Sequence, residues 1–155
     1  MFFKIKNNSV IKIDNLFSSD LFISNFIKTD GFRHIYPDLK EWVDYMEESK
    51  DYKKFIIYNT SEADPIMGVM IYNPFEFRVC MVFIKDGYRR QGLFKMFIEF
   101  AETLTKNYLN VQTDSDSVVN NYLINNGYEL RDVRNKYMQN STIRFENYWQ
   151  KKILN

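Results

Sequence analysis

Residues 88–94, with the sequence YRRQGLF, have the types and spacing best suited to chemistry in this chain. They follow an apolar, β-rich run at residues 75–85 and precede an amphipathic pattern that predicts a helix from about residue 91 to 106. The first N–H groups of a helix have no partner inside that helix, so a turn at this junction can bind an anion. Gly92 has no side chain, and the backbone can therefore approach a pyrophosphate closely. The pattern predicts a local phosphate site.

The neighbours of Gly92 divide into backbone donors and basic side chains. The amides of Gln91, Gly92, Leu93 and Phe94 lie at the predicted helix start, where hydrogen bonds to a charged group contribute about 1.5 to 3 kcal/mol each. Arg89 and Arg90 can contact phosphate oxygens, although a solvated basic turn also accounts for both side chains. We expect the amides to contribute more than the side chains.

Length and composition set the class of protein. A chain of 155 residues is of ordinary single-domain size, and we expect one domain over residues 1–155. Lys and Arg number 21 against 20 Asp and Glu, a net charge of +1 that gives no argument for nucleic acid or an anionic membrane. The single cysteine, the absence of a signal-peptide pattern and the lack of an apolar run of about 20 residues predict a cytoplasmic protein.

The periodicity of apolar residues predicts the element order. It indicates a strand at 10–13, helices at about 18–28 and 38–50, strands at 53–59, 66–72 and 75–85, a helix at about 91–106 and a strand at 108–112. A further helix is expected to be capped by Asp114 or Ser115, to have Val118 on its buried face and to end at Gly127, and strands at 128–133 and 142–151 follow it. This order predicts an α/β (α+β) fold, with a mixed, mostly antiparallel, seven-stranded sheet and helices on both faces.

Two motifs in this order carry a family resemblance. Arg89 to Leu93 meet the first five positions of R/Q-x-x-G-x-G/A directly after the fourth predicted strand, and Phe94 occupies the final small-residue position. The run NYLINNGYEL, with Gly127 and Tyr128, matches a second signature at the end of a helix. From about residue 10 to 150 the chain thus resembles the GNAT superfamily of acetyl-coenzyme-A-dependent N-acetyltransferases.

The resemblance implies that acetyl-CoA, or coenzyme A, is the cosubstrate of this chain. In the family the fourth strand bulges and splays from the fifth, and its backbone groups hold the pantetheine arm and polarise the thioester carbonyl. The matching stretch is Val82, Phe83 and Ile84, for which a plain core strand is the alternative. Asp116 stands where relatives often have an Asn that touches the cofactor arm, and helix capping explains it equally well.

The residues that would move protons are less well matched to the family. The frequent general acid of the family is a Tyr four residues before the Gly, and this chain has Leu123 there, with Tyr122 interpreted as a packed aromatic turned away from the site. A base, or a desolvating pocket, is required because an alkyl ammonium of pKa about 10.4 must lose its proton. The candidates for the base are Glu76 on the fourth strand and His34 in a loop. The alternative for Glu76 is a strand residue that faces solvent, and the alternative for His34 is a residue that only forms hydrogen bonds within its loop.

Other chemistries find little support. One His and one Cys cannot form a Cys/His zinc site, so no metal is expected, and the sequence has no nucleophile-elbow motif for Ser/His/Asp catalysis. Cys80 in a mid-strand position is most simply a small buried hydrophobe. No residue indicates a covalent acyl-enzyme intermediate.

The sequence therefore predicts direct transfer of an acetyl group to a primary amine, on either a small molecule or a peptide. The alternative is a non-catalytic GNAT-fold module that binds acyl-CoA or a partner protein, for which the loss of the Tyr and the presence of Phe94 argue. A third interpretation is an α/β interaction domain with no cofactor. No nucleic-acid or membrane partner is expected, and both a monomer and a homodimer remain open.

Overall fold

The computed structural model describes residues 2–5, 9–15, 50–59, 66–85, 87–137 and 143–154. The strands in this part of the chain are β1 (Phe2–Ile5), β2 (Ser9–Asn15), β3 (Lys53–Asn59), β4 (Ile66–Asn73), β5 (Arg78–Ile84), β6 (Tyr108–Asp114), β7 (Glu129–Tyr137) and β8 (Ile143–Lys152). The helices in the same part are α1 (Leu93–Leu104) and α2 (Val119–Asn125).

All of these strands join one mixed sheet in the order β1-β2-β3-β4-β5-β6-β8-β7. Only β5 and β6 run parallel among the described pairs, with α1 as the crossover between them, and the other neighbours are antiparallel. The predicted α+β class and the mostly antiparallel sheet are confirmed. The described sheet has eight strands rather than seven because Phe2–Ile5 pairs with β2 at the edge, and four residues give too short an alternation to predict a strand.

The centre of the sheet is covered on both faces, because all eight residues of β4 are buried. One face carries the main core, in which Tyr72 and Val79 pack with Phe97, Ile98 and other buried side chains. The predicted helices at about 18–28 and 38–50 lie outside the described residues.

The apolar pattern of the sequence predicts which residues of helix α1 are buried. Leu93, Phe97, Ile98 and Ala101 are its buried residues and recur at helical spacing, as the apolar pattern predicts. The helix begins directly after Gly92, whose φ of 78° is a left-handed conformation that glycine adopts without a steric penalty. The observed helix is two residues shorter at each end than the predicted range of 91–106.

Helix α2 ends as the sequence predicts. Gly127 has a φ of 84°, its N–H donates to the carbonyl of Ile124 at 3.4 Å, and the N–H of Tyr128 donates to the carbonyl of Leu123 at 3.0 Å. These two bonds form a Schellman motif, which satisfies carbonyls that a helix end leaves unpaired. Gly127 is thus confirmed as the residue that follows the helix end.

Two predicted boundaries are wrong in ways that affect the site. Residues 74–77 form a turn rather than the start of β5, because Asn73 Oδ1 accepts the N–H groups of Phe75 at 2.9 Å and Glu76 at 3.3 Å. Helix α2 begins at Val119 instead of near residue 115, and Val118, predicted to be buried, has 85% of its surface exposed. Local side-chain hydrogen bonds compete with the regular element at such positions.

Candidate functional site

The parallel strands β5 and β6 separate soon after they meet. They pair only at Arg78 with Asn110 and at Val79 with Val111. Beyond this point β5 stays paired with β4, while β6 pairs with β8 along its whole length. The two strands therefore diverge within a continuous sheet, and a wedge opens between them.

A β-bulge lies at the point where the wedge begins. In the register between β4 and β5, Tyr72 pairs with Val79 and Ile71 pairs with Met81, so Cys80 is the extra residue. A bulge re-aims the residues that follow it, because it shifts their alternation by one position. As a result Val82 and Ile84 lie with Val79 against the main core. The family resemblance implied a bulged and splayed strand here, with the bulge close to residues 82–84.

The turn that follows β5 leads into α1 through a compact set of hydrogen bonds. Arg89 Nε donates to the carbonyl of Ile84 at 3.1 Å, and Gln91 Nε2 donates to the carbonyl of Gly87 at 3.3 Å. Arg90 has a φ of 64°, which is uncommon for a residue with a side chain and recurs at binding sites. The geometry ties the turn to the end of β5 and leaves the Arg90 side chain exposed.

The start of α1 has backbone donors that, in the described part of the chain, precede the first intrahelical bond. This bond runs from the N–H of Met96 to the carbonyl of Gly92 at 3.1 Å, and Gly92 at the N-cap position provides no side-chain cap. The amides of Leu93, Phe94 and Lys95 thus precede the first intrahelical bond, and the first turn contains no acidic residue. A Cβ built on Gly92 would meet no atom within 4 Å. Such an end suits an anion because its donors and the helix dipole both favour negative charge.

The wedge and the start of α1 open into one cavity of about 840 Å³. Its size falls within the range of about 300 to 1,000 Å³ that is usual for small-molecule and cofactor sites. The lining residues come mainly from β5, the turns on either side of it, α1, β6, α2 and β8. They include Glu76, Arg78, Cys80, Val82, Phe83, Ile84, Arg89, Arg90, Gly92, Leu93, Phe94, Gln112, Asp114, Tyr122, Arg144 and Glu146.

Most of the predicted cofactor residues meet in this cavity. Val82, Phe83, Ile84, Arg89, Arg90, Gly92, Leu93 and Phe94 all line it. Gln91 and Asp116 do not line it; both are exposed, and Gln91 hydrogen-bonds back to the turn. Ser117 Oγ accepts the N–H of Val119 at 3.4 Å, so the first turn of α2 has a side-chain acceptor other than Asp116.

Phe94 and Tyr122 connect the two helices above the wedge. Their ring centroids are 5.6 Å apart and their planes are at 88°, an edge-to-face arrangement. Leu123 is fully buried, whereas Tyr122 lines the cavity. The interpretation of Tyr122 as turned away from the site is therefore wrong, although its interpretation as a packed aromatic is confirmed by the contact with Phe94. Burial raises the pKa of the Tyr122 hydroxyl, with a further increase from the charges of Glu99 and Glu102.

The two predicted bases have different outcomes. Glu76 lines the cavity, but it lies in the turn before β5 and not on the strand, with 56% of its side chain exposed. Its Oε2 lies 3.6 Å from Arg78 Nη1. His34 lies outside the described residues. The structure therefore places one of the two candidates at the cavity wall.

Several cavity residues were missed by the sequence analysis. Gln112 Nε2 donates to Glu146 Oε2, and the Tyr148 hydroxyl donates to the same oxygen at 3.2 Å. Glu146 is a buried carboxylate with only 8% of its surface exposed. The signal was present, because polar residues alternate along β6 at 110, 112 and 114 and along β8 at 144, 146, 148 and 150. Without the strand register, this alternation does not distinguish a cavity wall from a solvated face.

Cys80 differs from the buried hydrophobe that was predicted. It is half-buried and lines the cavity at the bulge. Burial raises the pKa of its thiol to about 11, and the thiol therefore stays protonated at neutral pH. A protonated thiol is a poor nucleophile.

Comparison with known proteins identifies the fold. No protein-family model matches the sequence, and no relative is found among curated protein sequences. Many solved structures are similar. A GNAT family acetyltransferase from Elizabethkingia anophelis with acetyl-CoA bound is 17% identical, with a TM-score of 0.61 over 92% of this chain and 97% of that one.

Two further structures are similar over nearly the same length. The ribosomal-protein-S18-alanine N-acetyltransferase from Escherichia coli is 15% identical, with a TM-score of 0.64 over 94% of this chain and 95% of that one. A spermidine N-acetyltransferase from Vibrio cholerae, in complex with CoA and spermine, is 11% identical, with a TM-score of 0.61 over 92% and 95%. The chain has the GNAT acetyltransferase fold.

The described residues lack two further kinds of feature. They contain no group of three or more His, Cys, Asp or Glu side chains placed to hold a metal ion. Among the same residues no helix has the length and apolar character needed to cross a membrane.

Proposed function

We propose that this chain is an acetyl-CoA-dependent N-acetyltransferase that moves an acetyl group directly onto a primary amine. The observation that carries the proposal is the single cavity that joins the start of α1 to the wedge between β5 and β6. An anion site and a strand edge meet there, as a diphosphate attached to a long polar arm requires. The similar structures with acetyl-CoA or CoA bound support the same ligand. We further propose one domain over residues 1–155, a cytoplasmic location, and a monomer or homodimer.

The diphosphate of CoA would bind at the start of α1. The amides of Leu93, Phe94 and Lys95 are available there, and the space beside Gly92 is open. Two or three charge-assisted hydrogen bonds of about 1.5 to 3 kcal/mol each would begin to offset an association cost of roughly 4 to 15 kcal/mol. The exposed Arg90 side chain is close enough in sequence to contribute, while Arg89 also holds the end of β5.

The pantetheine arm would lie along the wedge side of β5. Val82, Phe83 and Ile84 line the cavity beyond the last residue pair with β6. Backbone groups on this side can bind an amide-containing arm in the way that one strand binds another. The Ile84 carbonyl already accepts a bond from Arg89, and the Phe83 carbonyl faces Gly68 on β4, so we expect the backbone of Val82 to provide most of these contacts.

The chain offers a proton donor for the departing thiolate. Tyr122 lines the cavity, and its raised pKa keeps the hydroxyl protonated at neutral pH. A thiol of pKa about 8.5 needs only modest help to leave, so an adequately placed hydroxyl suffices. Because Cys80 stays protonated, an acyl-cysteine intermediate is disfavoured and direct transfer is preferred. Glu76 and His34 remain the proposed bases.

The competing function is a GNAT-fold module that binds acyl-CoA, or a partner protein, without turnover. Leu123, at the position of the usual acid, is fully buried in the core and has no proton to give. This observation favours the competing function unless Tyr122 takes over the role. The two functions share ligand binding and differ only in the release of CoA.

Two measurements test the proposal in sequence. Thermal unfolding with acetyl-CoA at 100 times its Kd should show about 2.7 kcal/mol of stabilisation. Release of free CoA thiol is then followed across a panel of amines. No stabilisation by acetyl-CoA or CoA would overturn the proposal, and stabilisation without thiol release from any amine would establish the binding module.

A matched pair of variants locates the diphosphate. Gly92 and Gly87 have φ values of 78° and 90°, and a Cβ on either one meets no atom within 4 Å. Leucine at either position carries a similar left-handed strain of about 1 to 2 kcal/mol. Only Gly92 lines the cavity. Gly92→Leu should therefore abolish stabilisation by CoA while Gly87→Leu retains it, and equal stabilisation of the two variants would contradict the site.

A further inference from the structure

The cavity has a polar end on the face of the sheet opposite the main core. Residue alternation and register place Arg78, Gln112 and Glu146 on this face, because Val79 and Val111 point the other way into the core. The polar end therefore lies across the wedge from the apolar side chains of Val82 and Ile84. Since we assign the apolar side to the pantetheine arm, the polar end is available to the second substrate.

Arg78 at this end has a buried donor without a partner. Its Nε is inaccessible to solvent and makes no hydrogen bond in the described part of the chain. Its Nη1 lies 3.6 Å from the largely exposed carboxylate of Glu76, and its Cζ lies 5.1 Å from the centroid of the Tyr148 ring. The aromatic contact orients the guanidinium but supplies no acceptor oxygen for Nε. Because Nε itself is closed to solvent, a ligand with acceptor oxygens would reach Arg78 through the part of its side chain that lines the cavity, where 24% of the side chain is exposed.

Glu146 provides the opposite charge on the same wall. It lines the cavity and is fixed by hydrogen bonds from Gln112 and from Tyr148. Tyr148 thus contacts both groups, through its ring to Arg78 and through its hydroxyl to Glu146. One oriented cation and one oriented anion thus line the same cavity on either side of Tyr148, an arrangement that is complementary to a ligand with both charges.

The guanidinium groups at this end favour a ligand that bears a carboxylate. Arg78 and Arg144 both line the cavity, with Asp114 at 3.6 Å from Arg144 Nε. Glu76 and Glu146 line the same end, so the wall presents both charges. A guanidinium matches the planar geometry of a carboxylate, which can bind two of its N–H groups together.

We propose that the acceptor is a small amine that also bears a carboxylate, of the free amino acid class, with its carboxylate on Arg78 and its amine towards Glu146. This inference rests on the proposed acetyltransferase function for the order of the reaction, but the binding site itself does not depend on turnover. Arg78 acts here as a specificity residue, and Glu146 as a residue that positions the amine.

The test compares matched ligands on matched variants. Binding of amino acids, their amides and their decarboxylated amines is measured by calorimetry on the free chain and on the chain saturated with CoA. Arg78→Met is compared with Arg134→Met, because Arg134 also lies over the Tyr148 ring, at 4.3 Å, yet is exposed and does not line the cavity. The same ligands are then used in the CoA-release assay.

We expect amino acids to bind at least about 10-fold more tightly than their amides or decarboxylated amines. Arg78→Met should remove this preference and leave the binding of the decarboxylated amines unchanged, and Arg134→Met should preserve it. Glu146→Gln should weaken all of the amines that bind. In the CoA-release assay Arg78→Met should raise KM for amino acids with little change in kcat.

The outcomes separate this inference from the proposed function. Stabilisation by acetyl-CoA in Arg78→Met at the wild-type level shows that the cofactor site is intact. Amides or decarboxylated amines that bind as well as amino acids would overturn the inference, as would no carboxylate-dependent binding in either form of the chain. An equal loss in Arg134→Met would also overturn it, since the effect would then come from Tyr148 packing and not from the cavity.

Discussion

Phe94 and Tyr122 pack edge to face with their ring centroids 5.6 Å apart, and this contact joins the motif helix α1 to the helix α2. Phe94 occupies the position where the GNAT motif has a small residue, and Tyr122 adjoins the position where the family often has its acid. The large side chain at 94 therefore packs against α2 instead of filling the turn. The start of α1 stays open, because the space beside Gly92 is empty.

Tyr122→Phe should separate packing from proton donation. The variant keeps the ring and therefore the edge-to-face contact, so stability should change little. If the Tyr122 hydroxyl protonates the leaving thiolate, kcat should fall by about 10- to 100-fold. This loss is smaller than the largest losses caused by removal of a general acid, because a thiolate leaves easily. The Kd for acetyl-CoA should stay within about twofold of the wild-type value. Steady-state CoA release and thermal titration measure the two quantities.

Tyr108→Phe is the control for this substitution, because Tyr108 is 43% exposed and does not line the cavity. It should leave kcat unchanged. A kcat for Tyr122→Phe within twofold of the wild-type value would contradict the proposed acid. The thiolate would then leave unaided or with another donor.

The sequence predicted the helices and strands around the site better than the residues that line its cavity. The strand before the turn, the helix after it and the ending at Gly127 were predictable because apolar periodicity and glycine conformations are local properties. The bulge at Cys80 was not placed, since a bulge exists only in the register between two strands. The same shift brings Val82 and Ile84 against the core.

The polar end of the cavity was not predictable for a similar reason. Arg78 and Glu146 are 68 residues apart in sequence, and they share a wall only because β8 returns beside β6. Glu76 seemed to belong to a strand, but the Asn73 side chain captures its N–H and forms a turn. Long-range pairing and side-chain competition with the backbone leave no mark on a single apolar pattern.

Gly68→Ala on β4 should displace the neighbouring strand β5. A Cβ on Gly68 would lie 2.8 Å from the carbonyl oxygen of Phe83 and 2.9 Å from Ile84 Cδ1. The backbone oxygen cannot yield unless the strand shifts, so the free energy of unfolding should fall by about 1 to 3 kcal/mol. Because Phe83 lines the cavity, the Kd for acetyl-CoA should rise several-fold. Chemical denaturation and calorimetric titration measure these changes.

Gly127→Ala provides a variant of comparable stability with an unchanged cavity. Its φ of 84° makes alanine cost about 1 to 2 kcal/mol, and its Cβ would only touch Lys151 Cε at 3.7 Å. This variant should bind acetyl-CoA like the wild type. If Gly68→Ala is destabilised and still binds with wild-type affinity, the arm does not lie along β5.

Tyr128 should make stability fall at alkaline pH. Burial, followed by the hydrogen bond that its hydroxyl donates to Glu102 Oε1 at 2.8 Å, raises the pKa of Tyr128 far above the ordinary value of 10.0. In the unfolded chain this hydroxyl ionises near pH 10, whereas in the folded chain it keeps its proton. Above pH 10 the unfolded state therefore binds fewer protons than the folded state. The contribution of the Tyr128 hydroxyl to stability is complete below pH 10 and declines above it by about 1.4 kcal/mol per pH unit.

Denaturation by urea between pH 8 and pH 11 measures this decline, and Tyr128→Phe should reduce its slope by close to one proton. The variant also leaves Glu102 without the tyrosine donor, although Lys151 Nζ remains 3.5 Å from the same oxygen, so a loss of about 1 to 3 kcal/mol at pH 8 should accompany the change. Equal slopes for wild type and Tyr128→Phe would show that the Tyr128 hydroxyl is not held protonated by its partner on α1.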